Sequence, residues 1–278
     1  MRCARGPANH IEMTMRYSTQ LDYGKPIPLH DEEGLAAMRV AGKIAADTLD
    51  FIAPYIKAGV STAELDTLCE DFMRAAGSIP ATIDYHGYKH ASCISVNHVV
   101  THGVPSATKI LRTGDIVNID VTPKFNGWHG DTSRTFEVGE VSILAARLVK
   151  TAYDAMMAGI TIVRPGVTLG DVGAAIDAVA RGQGFSSVRD FCGHGVGQKF
   201  HDAPQVMHYG QPGTGVVLEE GMIFTIEPMI NVGTFHVKVL PDKWTTVTKD
   251  HSLSAQFEHT LAVTADGFEI FTLGAEQR

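Results

Sequence analysis

The phrase Gly114-Asp-Ile-Val-Asn-Ile-Asp120 returns 107 residues later as Gly221-Met-Ile-Phe-Thr-Ile-Glu227. A glycine, two isoleucines and a final carboxylate keep their places in both copies. An apolar run that ends on an acid is costly to bury, because a desolvated carboxylate needs a cation or hydrogen bonds to compensate it. Written twice at one spacing, the phrase implies a duplicated unit whose two halves each deliver an acid to a shared centre.

The surroundings of the phrase repeat as well. From Asp31 to Ile56 apolar residues fall at helical spacing (Leu35, Met38, Ile44, Leu49, Ile52, Ile56), and Gly59 closes that helix. Ser61-Thr-Ala-Glu64 is a capping box opening a second helix through about Ala76, ended by Gly77. In the second half Gly166-Val167-Thr168 and Asp171 echo Gly59-Val60-Ser61 and Glu64 at the same offset, and Gly184 matches Gly77. Tyr85-His86-Gly87 resembles Gly193-His194-Gly195, displaced by one. Each half thus reads as helix, helix, His-Gly turn, and a strand with the carboxylate at its end. Helices that merely shared capping chemistry would account for the Gly-Val-Ser/Thr match but not for the matching strands, so the pattern is an internal repeat.

Beyond each strand lies a second acid. Lys124-Phe-Asn-Gly127 is a turn signal, followed by Asp131 at the head of a Thr-rich strand. After Glu227 a longer excursion passes through Trp244 to Glu258, which heads another such strand. No low-complexity linker separates the halves. The expected architecture is α/β (α+β), with one domain over residues 31–278 built from half-repeats at about 31–140 and 141–273. Residues 1–30 read as an N-terminal extension, and Met13 and Met15 offer alternative starts that would leave residues 1–12 or 1–14 outside the native protein.

Composition narrows the function by exclusion. A net charge of −8 argues against nucleic acid as a partner. Cys3, Cys69, Cys93 and Cys192 stand far apart with no C-x-x-C pair, which reads as free thiols in a reducing compartment. No run approaches a membrane span and no signal peptide opens the chain, so no membrane partner and a cytoplasmic location are expected.

Four acids, Asp120, Asp131, Glu227 and Glu258, converging without a cation would repel one another and titrate upward. Two divalent metals remove the difficulty, with bridging acids holding the ions about 3.5–4 Å apart. His194, in Cys192-Gly-His-Gly-Val-Gly197, is the imidazole best placed to complete such a site, since its glycines let backbone approach a buried centre. These glycines lack the G-x-G-x-x-G spacing of a nucleotide loop, and H-E-x-x-H, G-x-x-x-x-G-K and G-x-S-x-G are all missing from the sequence. His129 and His259 each adjoin an acid on an expected strand, where neighbouring side chains face opposite ways. They are therefore expected behind the ligands or at the surface.

Taken together, Tyr85-His-Gly-Tyr88, Cys93-Ile-Ser-Val-Asn97, His102-Gly-Val-Pro105, Asn118-Ile-Asp-Val121, His129-Gly-Asp-Thr-Ser133, Gly193-His-Gly-Val-Gly197, Phe224-Thr-Ile-Glu-Pro-Met229 and Gln256-Phe-Glu-His-Thr260 resemble the type I methionine aminopeptidases, from about Asp31 to Leu273. The resemblance implies the pita-bread fold, two pseudo-symmetric halves of antiparallel sheet with helices outside and a dinuclear metal pocket between them. It implies a methionyl aminopeptidase that hydrolyses initiator methionine from nascent polypeptide N-termini when the second residue is small, probing them near the ribosome as a monomer. Asp120, Asp131, His194, Glu227 and Glu258 match the five metal ligands, with Asp131 and Glu258 bridging, Asp120 on the first metal, and His194 with Glu227 on the second. Co, Mn, Fe(II) or Zn would suit this donor set. A monovalent cation would sit on backbone around Asn97, Val99 and Ser254.

The chemistry implied is attack of metal-activated water on the first peptide carbonyl, with His201 at the oxyanion, Glu227 accepting the proton and His102 bonding the scissile amide. Tyr85, Cys93, Phe200 and Trp244 match positions lining the methionine slot, where soft or aromatic walls suit a thioether. Thr101 and Thr82 stand where relatives often carry cysteine. Two rival readings are a proline-directed peptidase of the same fold and a pita-bread binding protein without catalysis. The former usually carries a large extra N-terminal domain, whereas only 84 residues precede Tyr85. The latter typically loses ligands, and this chain keeps all five. A type II enzyme would have a long insertion between its last two acids, yet only 30 residues separate Glu227 from Glu258.

Overall fold

The computed structural model describes residues 15–275. The expectation about residues 1–14 lies outside the described residues.

Helix α1, Glu32–Ile52, starts where Asp31 accepts a hydrogen bond from the Gly34 N–H, and Glu32 and Glu33 complement the positive end of its dipole. It stops short of Ile56 because Pro54 enters a 3₁₀ turn, Ala53–Tyr55, that continues the chain at a tighter pitch. Helix α2, Thr62–Ala75, carries the full Ser61/Glu64 capping box. In the second half α3 spans Ile143–Ile160, and α4, Leu169–Gly182, carries the same box from Thr168 and Asp171.

Each helix pair covers one antiparallel sheet. In the first half the strand Ile116–Val121 lies between Ser92–Val96 and Thr132–Glu137. Val117, Ile119 and Val121 pack against Ala45, Leu49, Leu65, Cys69 and Met73 of α1 and α2. In the second half Ile223–Ile226 lies between Gly193–Gly195 and His259–Val263, and Asp202–Val206 and Phe268–Ile270 extend this sheet to five strands. Phe224, Ile226 and Leu261 pack against Leu148, Met156, Ile160 and Ile176 of α3 and α4. Each such side chain contributes about 1.5–3 kcal/mol on burial. Because strand side chains alternate, Asn118 and Asp120 must project from the face turned away from the helices, and Thr225 and Glu227 likewise. The apolar half of each doubled phrase holds the helices; the polar half faces the centre.

The two sheets meet at the second acids. Glu258 N–H donates to Ser133 O at 3.0 Å, the Thr132 hydroxyl to Glu258 O at 2.6 Å, and the Thr260 hydroxyl to Asp131 O at 2.7 Å. The two acid-bearing strands are thereby tied backbone to side chain across the halves.

One sequence expectation is corrected. Tyr85-His86-Gly87 is a 3₁₀ turn with His86 exposed, whereas Gly193-His194-Gly195 is a strand. The strand that flanks the first acid is Ser92–Val96, with Cys93 directly opposite Asp120. A two-residue match carries no ladder register; backbone pairing decides which segments correspond.

Two further segments reach the centre. Thr246–Thr248 pairs with Val99–Thr101, which brings the end of the long excursion, and Trp244 with it, beside His102. Residues 16–29 form a hairpin, Arg16–Asp22 against Lys25–Leu29, whose Ile27 and Leu29 are buried in the second-half core.

Candidate metal centre and substrate pocket

Asp120, Asp131, His194, Glu227 and Glu258 all line one cavity of about 380 Å³ between the two sheets. Ligand atoms of Asp131, His194 and Glu258 lie within 4.8 Å of one another. His194 Nε2 stands 3.5 Å from Asp131 and 3.7 Å from Glu227. The backbone that carries His194 depends on its glycines. A Cβ at Gly195 would fall 2.0 Å from Ala203 O, and one at Gly193 would fall 2.3 Å from Thr225 O. Only glycine allows flanking strands that close.

The cluster's electrostatics call for a cation. Burial, then the neighbouring Asp131 and Glu227, push the Asp120 carboxyl well above the usual carboxylate range. Glu258 is raised in the same way by burial and by the other acids. Glu227 is pushed up to about 7, foremost by burial. Burial, the largest single influence on His194, works against its charged form, yet the hydrogen bond to Asp131 and the charge of Glu227 outweigh it and raise this imidazole. Asp120, Glu227 and Glu258 thus all hold their protons more tightly than free carboxyls do, a preference that a divalent ion reverses.

The donor set fits such an ion. Gly195 O can only accept, so His194 Nδ1 carries a proton in their 3.0 Å contact, and Nε2 is the nitrogen turned toward the acids, free to ligate an ion once it gives up its own proton. Thr122 donates to Asp131 at 2.8 Å, Thr225 to Glu227 at 2.8 Å, and Gln256 to the other Glu227 oxygen at 3.2 Å. These donors orient the carboxylates from behind. His208, fully buried, accepts from the Glu227 N–H at 3.2 Å, and burial pushes its imidazole down to about 3. Carboxylate oxygens with one imidazole suit Mn, Co, Fe(II) and Zn alike.

The other expected site residues line the same cavity: Tyr85, Cys93, His102, Phe200, His201 and Trp244, with Thr82 and Thr101. Tyr85 and Phe200 pack at 4.8 Å, and the Tyr85 hydroxyl lies 2.9 Å from His201 Nδ1. The His201 ring sits 4.1 Å from that of His194, and burial foremost, then His194, push it down to about 3. His102 adopts a left-handed backbone (φ 55°) against Phe191, and burial lowers it to about 4. Burial, then Asp120, drives the Cys93 thiol well above its ordinary range, so it is an uncharged wall and no nucleophile.

His129 and His259 lie outside this cavity. His129 Nδ1 donates to Gly197 O at 2.8 Å, and His259 Nδ1 pairs with the Thr272 hydroxyl at 2.8 Å. Both are buried, so of the two positions expected for them the surface is ruled out. Around the backbone expected for a monovalent ion, Ser254 N–H donates to Asn97 O at 2.9 Å. The sequence reading missed Asp22, Tyr23 and Lys25, along with Asp190, Phe191, Cys192, Gln205 and Met229, all of which line the cavity. The supporting donors Thr122, Thr225 and Gln256 were missed too. Tyr23-Gly24 between short alternating runs is a hairpin signal; Cys192, Thr225, Met229 and Gln256 stand inside motifs quoted above, but a motif does not say which neighbour each side chain meets.

The chain is similar to known proteins over most of its length. The model of metallopeptidase family M24 matches residues 36–265. A methionine aminopeptidase of Rickettsia prowazekii (strain Madrid E) is 52% identical over 252 residues, 90% of this chain and 97% of its own. The crystal structure of methionine aminopeptidase from Rickettsia prowazekii superposes with a TM-score of 0.88 at 53% identity, covering 89% of this chain and all of that one. That of Thermotoga maritima gives 0.87 at 39% identity, covering 88% and 99%.

Proposed function

The chain belongs to metallopeptidase family M24, and from that premise we propose that it is a methionyl aminopeptidase acting on the N-termini of nascent polypeptides. Its fold is the pita-bread fold. The observation that carries the reading is the convergence of four acids and His194 on one cavity that Tyr85, Cys93, Phe200 and Trp244 also line. An unbranched thioether fits such aromatic and thiol walls.

The enzyme is metal-dependent, and in this proposal Asp120, Asp131, His194, Glu227 and Glu258 would hold two divalent ions, Asp131 and Glu258 serving both, Asp120 the first, and His194 with Glu227 the second. Bound there, the ions would supply Lewis acidity toward a carbonyl and lower the pKa of water. The protein's own groups do the rest. The substrate's free amino group sits near Asp120, which restricts cleavage to the first residue. Glu227 takes up the proton of the attacking water and passes it to the leaving amine. With Tyr85 donating to Nδ1, the neutral His201 presents Nε2–H to the developing oxyanion. His102, held uncharged by burial, hydrogen-bonds the scissile amide. Among the described residues no helix is long and apolar enough to cross a membrane. We place the enzyme in the cytoplasm, as a monomer meeting chains near the ribosome.

The test is cleavage by metal-loaded protein of Met-Ala-Ser, Leu-Ala-Ser, acetyl-Met-Ala-Ser and Ala-Pro-Ser. Only the first should release its N-terminal residue. Comparable release of leucine or turnover of the blocked peptide would overturn the assignment, and cleavage before proline would favour a proline-directed peptidase.

A further inference from the structure

The N-terminal hairpin lies outside the residues that the family model matches, which begin at residue 36, yet its tip lines the catalytic cavity through Asp22, Tyr23 and Lys25. It is rooted at both ends. Ile27 and Leu29 are buried in the core, Ser18 and Gln20 bind the Glu219 carboxylate, and Asp22 accepts from the Gln205 N–H at 2.8 Å. That last bond fixes the tip to the strand Asp202–Val206, which follows His201 directly.

The tip itself is unusual. Asp22 pairs with Lys25, so Tyr23 and Gly24 form a two-residue turn with φ of 45° and 77°. Such turns favour Asn-Gly, and a bulky side chain at positive φ is strained. Tyr23 nevertheless holds this position with its side chain 76% exposed. The Lys25 ammonium has no hydrogen-bond or ion-pair partner among the described residues, whereas Lys199 nearby is paired with Asp202 at 3.1 Å. A strained aromatic and a free cation on a braced tip, at the mouth of a peptidase cavity, serve no purpose in the fold. Local strain that packing does not require points to a binding role.

We infer that the hairpin tip is a distal subsite for the peptide beyond the scissile bond, Tyr23 packing on apolar side chains and Lys25 pairing with carbonyls or acids in the third to fifth residues of the substrate. The inference rests on the aminopeptidase reading of the same cavity. It makes cleavage by this chain length-dependent, through a segment the family model does not include.

The experiment compares kcat/KM of the metal-loaded enzyme for Met-Ala-Ser and Met-Ala-Ser-Leu-Glu, in wild type, Tyr23→Phe, Tyr23→Asn and Lys25→Ala. Tyr23→Asn creates the dipeptide the turn prefers, so the hairpin keeps its shape while losing the ring. The pentapeptide should be favoured about 3- to 10-fold in wild type, mainly through KM, corresponding to about 0.6–1.4 kcal/mol. Tyr23→Phe should keep most of that ratio; Tyr23→Asn and Lys25→Ala should bring it toward one. A wild-type ratio near one, or a ratio that both substitutions leave intact, overturns the subsite. Equal losses on both peptides show a structural role and overturn it too. A folded, metal-loaded wild type that cleaves neither peptide instead brings down the aminopeptidase reading, and the subsite falls with it.

Discussion

Glu227 shows how much one side chain's environment does. Its carboxyl is pushed to about 7 by burial foremost, despite a hydrogen bond from Thr225 and the nearby His194. A carboxyl raised above its unfolded value binds more protons in the folded state, so its contribution is complete below about pH 4.3 and is lost as pH rises through about 7. Asp120 and Glu258 are shifted in the same direction. The metal-free protein should therefore lose melting temperature between about pH 5 and 8. Divalent metal should restore more stability at pH 8 than at pH 5, because ligands must shed their protons to bind. Melting curves across pH, with chelator and with added metal, check this. A metal-free protein that gains stability steadily toward pH 8, with no larger metal effect there, would refute the protonated-acid account.

The element that sets the site is the short strand Gly193–Gly195. It pairs with Asp202–Val206 on one side and with Ile223–Ile226 on the other, and both neighbours press against its glycines. The repeat alone placed a histidine near the second acid, but assigned it to a turn. The strand arises because glycine admits two backbones at a distance no other residue tolerates. Gly195→Ala should shift His194 away from Asp131, lowering both metal affinity and melting temperature by more than a surface alanine would. Overpacking of this kind costs about 1–3 kcal/mol. Metal titration and thermal melts of the variant measure it, and wild-type values in both would disprove the close-approach argument. The capping boxes of α2 and α4 show the opposite case, for Ser61 and Thr168 form the bonds their local sequence predicts.

At the scale of the molecule, the candidate metal centre is a seam. Asp131 and Glu258 sit where the two sheets exchange hydrogen bonds, and each half alone holds only part of the donor set. Glu258→Ala should thus weaken both metal equivalents together and reduce activity by more than about 100-fold, beyond what loss of a supporting residue costs. Metal content after dialysis, with calorimetric titration, measures it. Two equivalents bound at wild-type affinity would remove Glu258 from its proposed bridging role.

What the chain determined by itself is the part written in short-range patterns: the helices and their caps, the doubled strand with its terminal acid, and the motifs around His194, Asp131 and Glu258. Period and capping chemistry act within a few residues, so they can be read without coordinates. Tertiary structure alone decided which strand flanks each acid, that Thr122, Thr225, Gln256 and His208 brace the cluster, and that Asp22, Tyr23 and Lys25 line the cavity. Those contacts join segments far apart in the chain, and single hydroxyls, amides and turns carry no periodic signal of where they will meet. The acids announced a shared centre; the packing of two sheets against each other chose its neighbours.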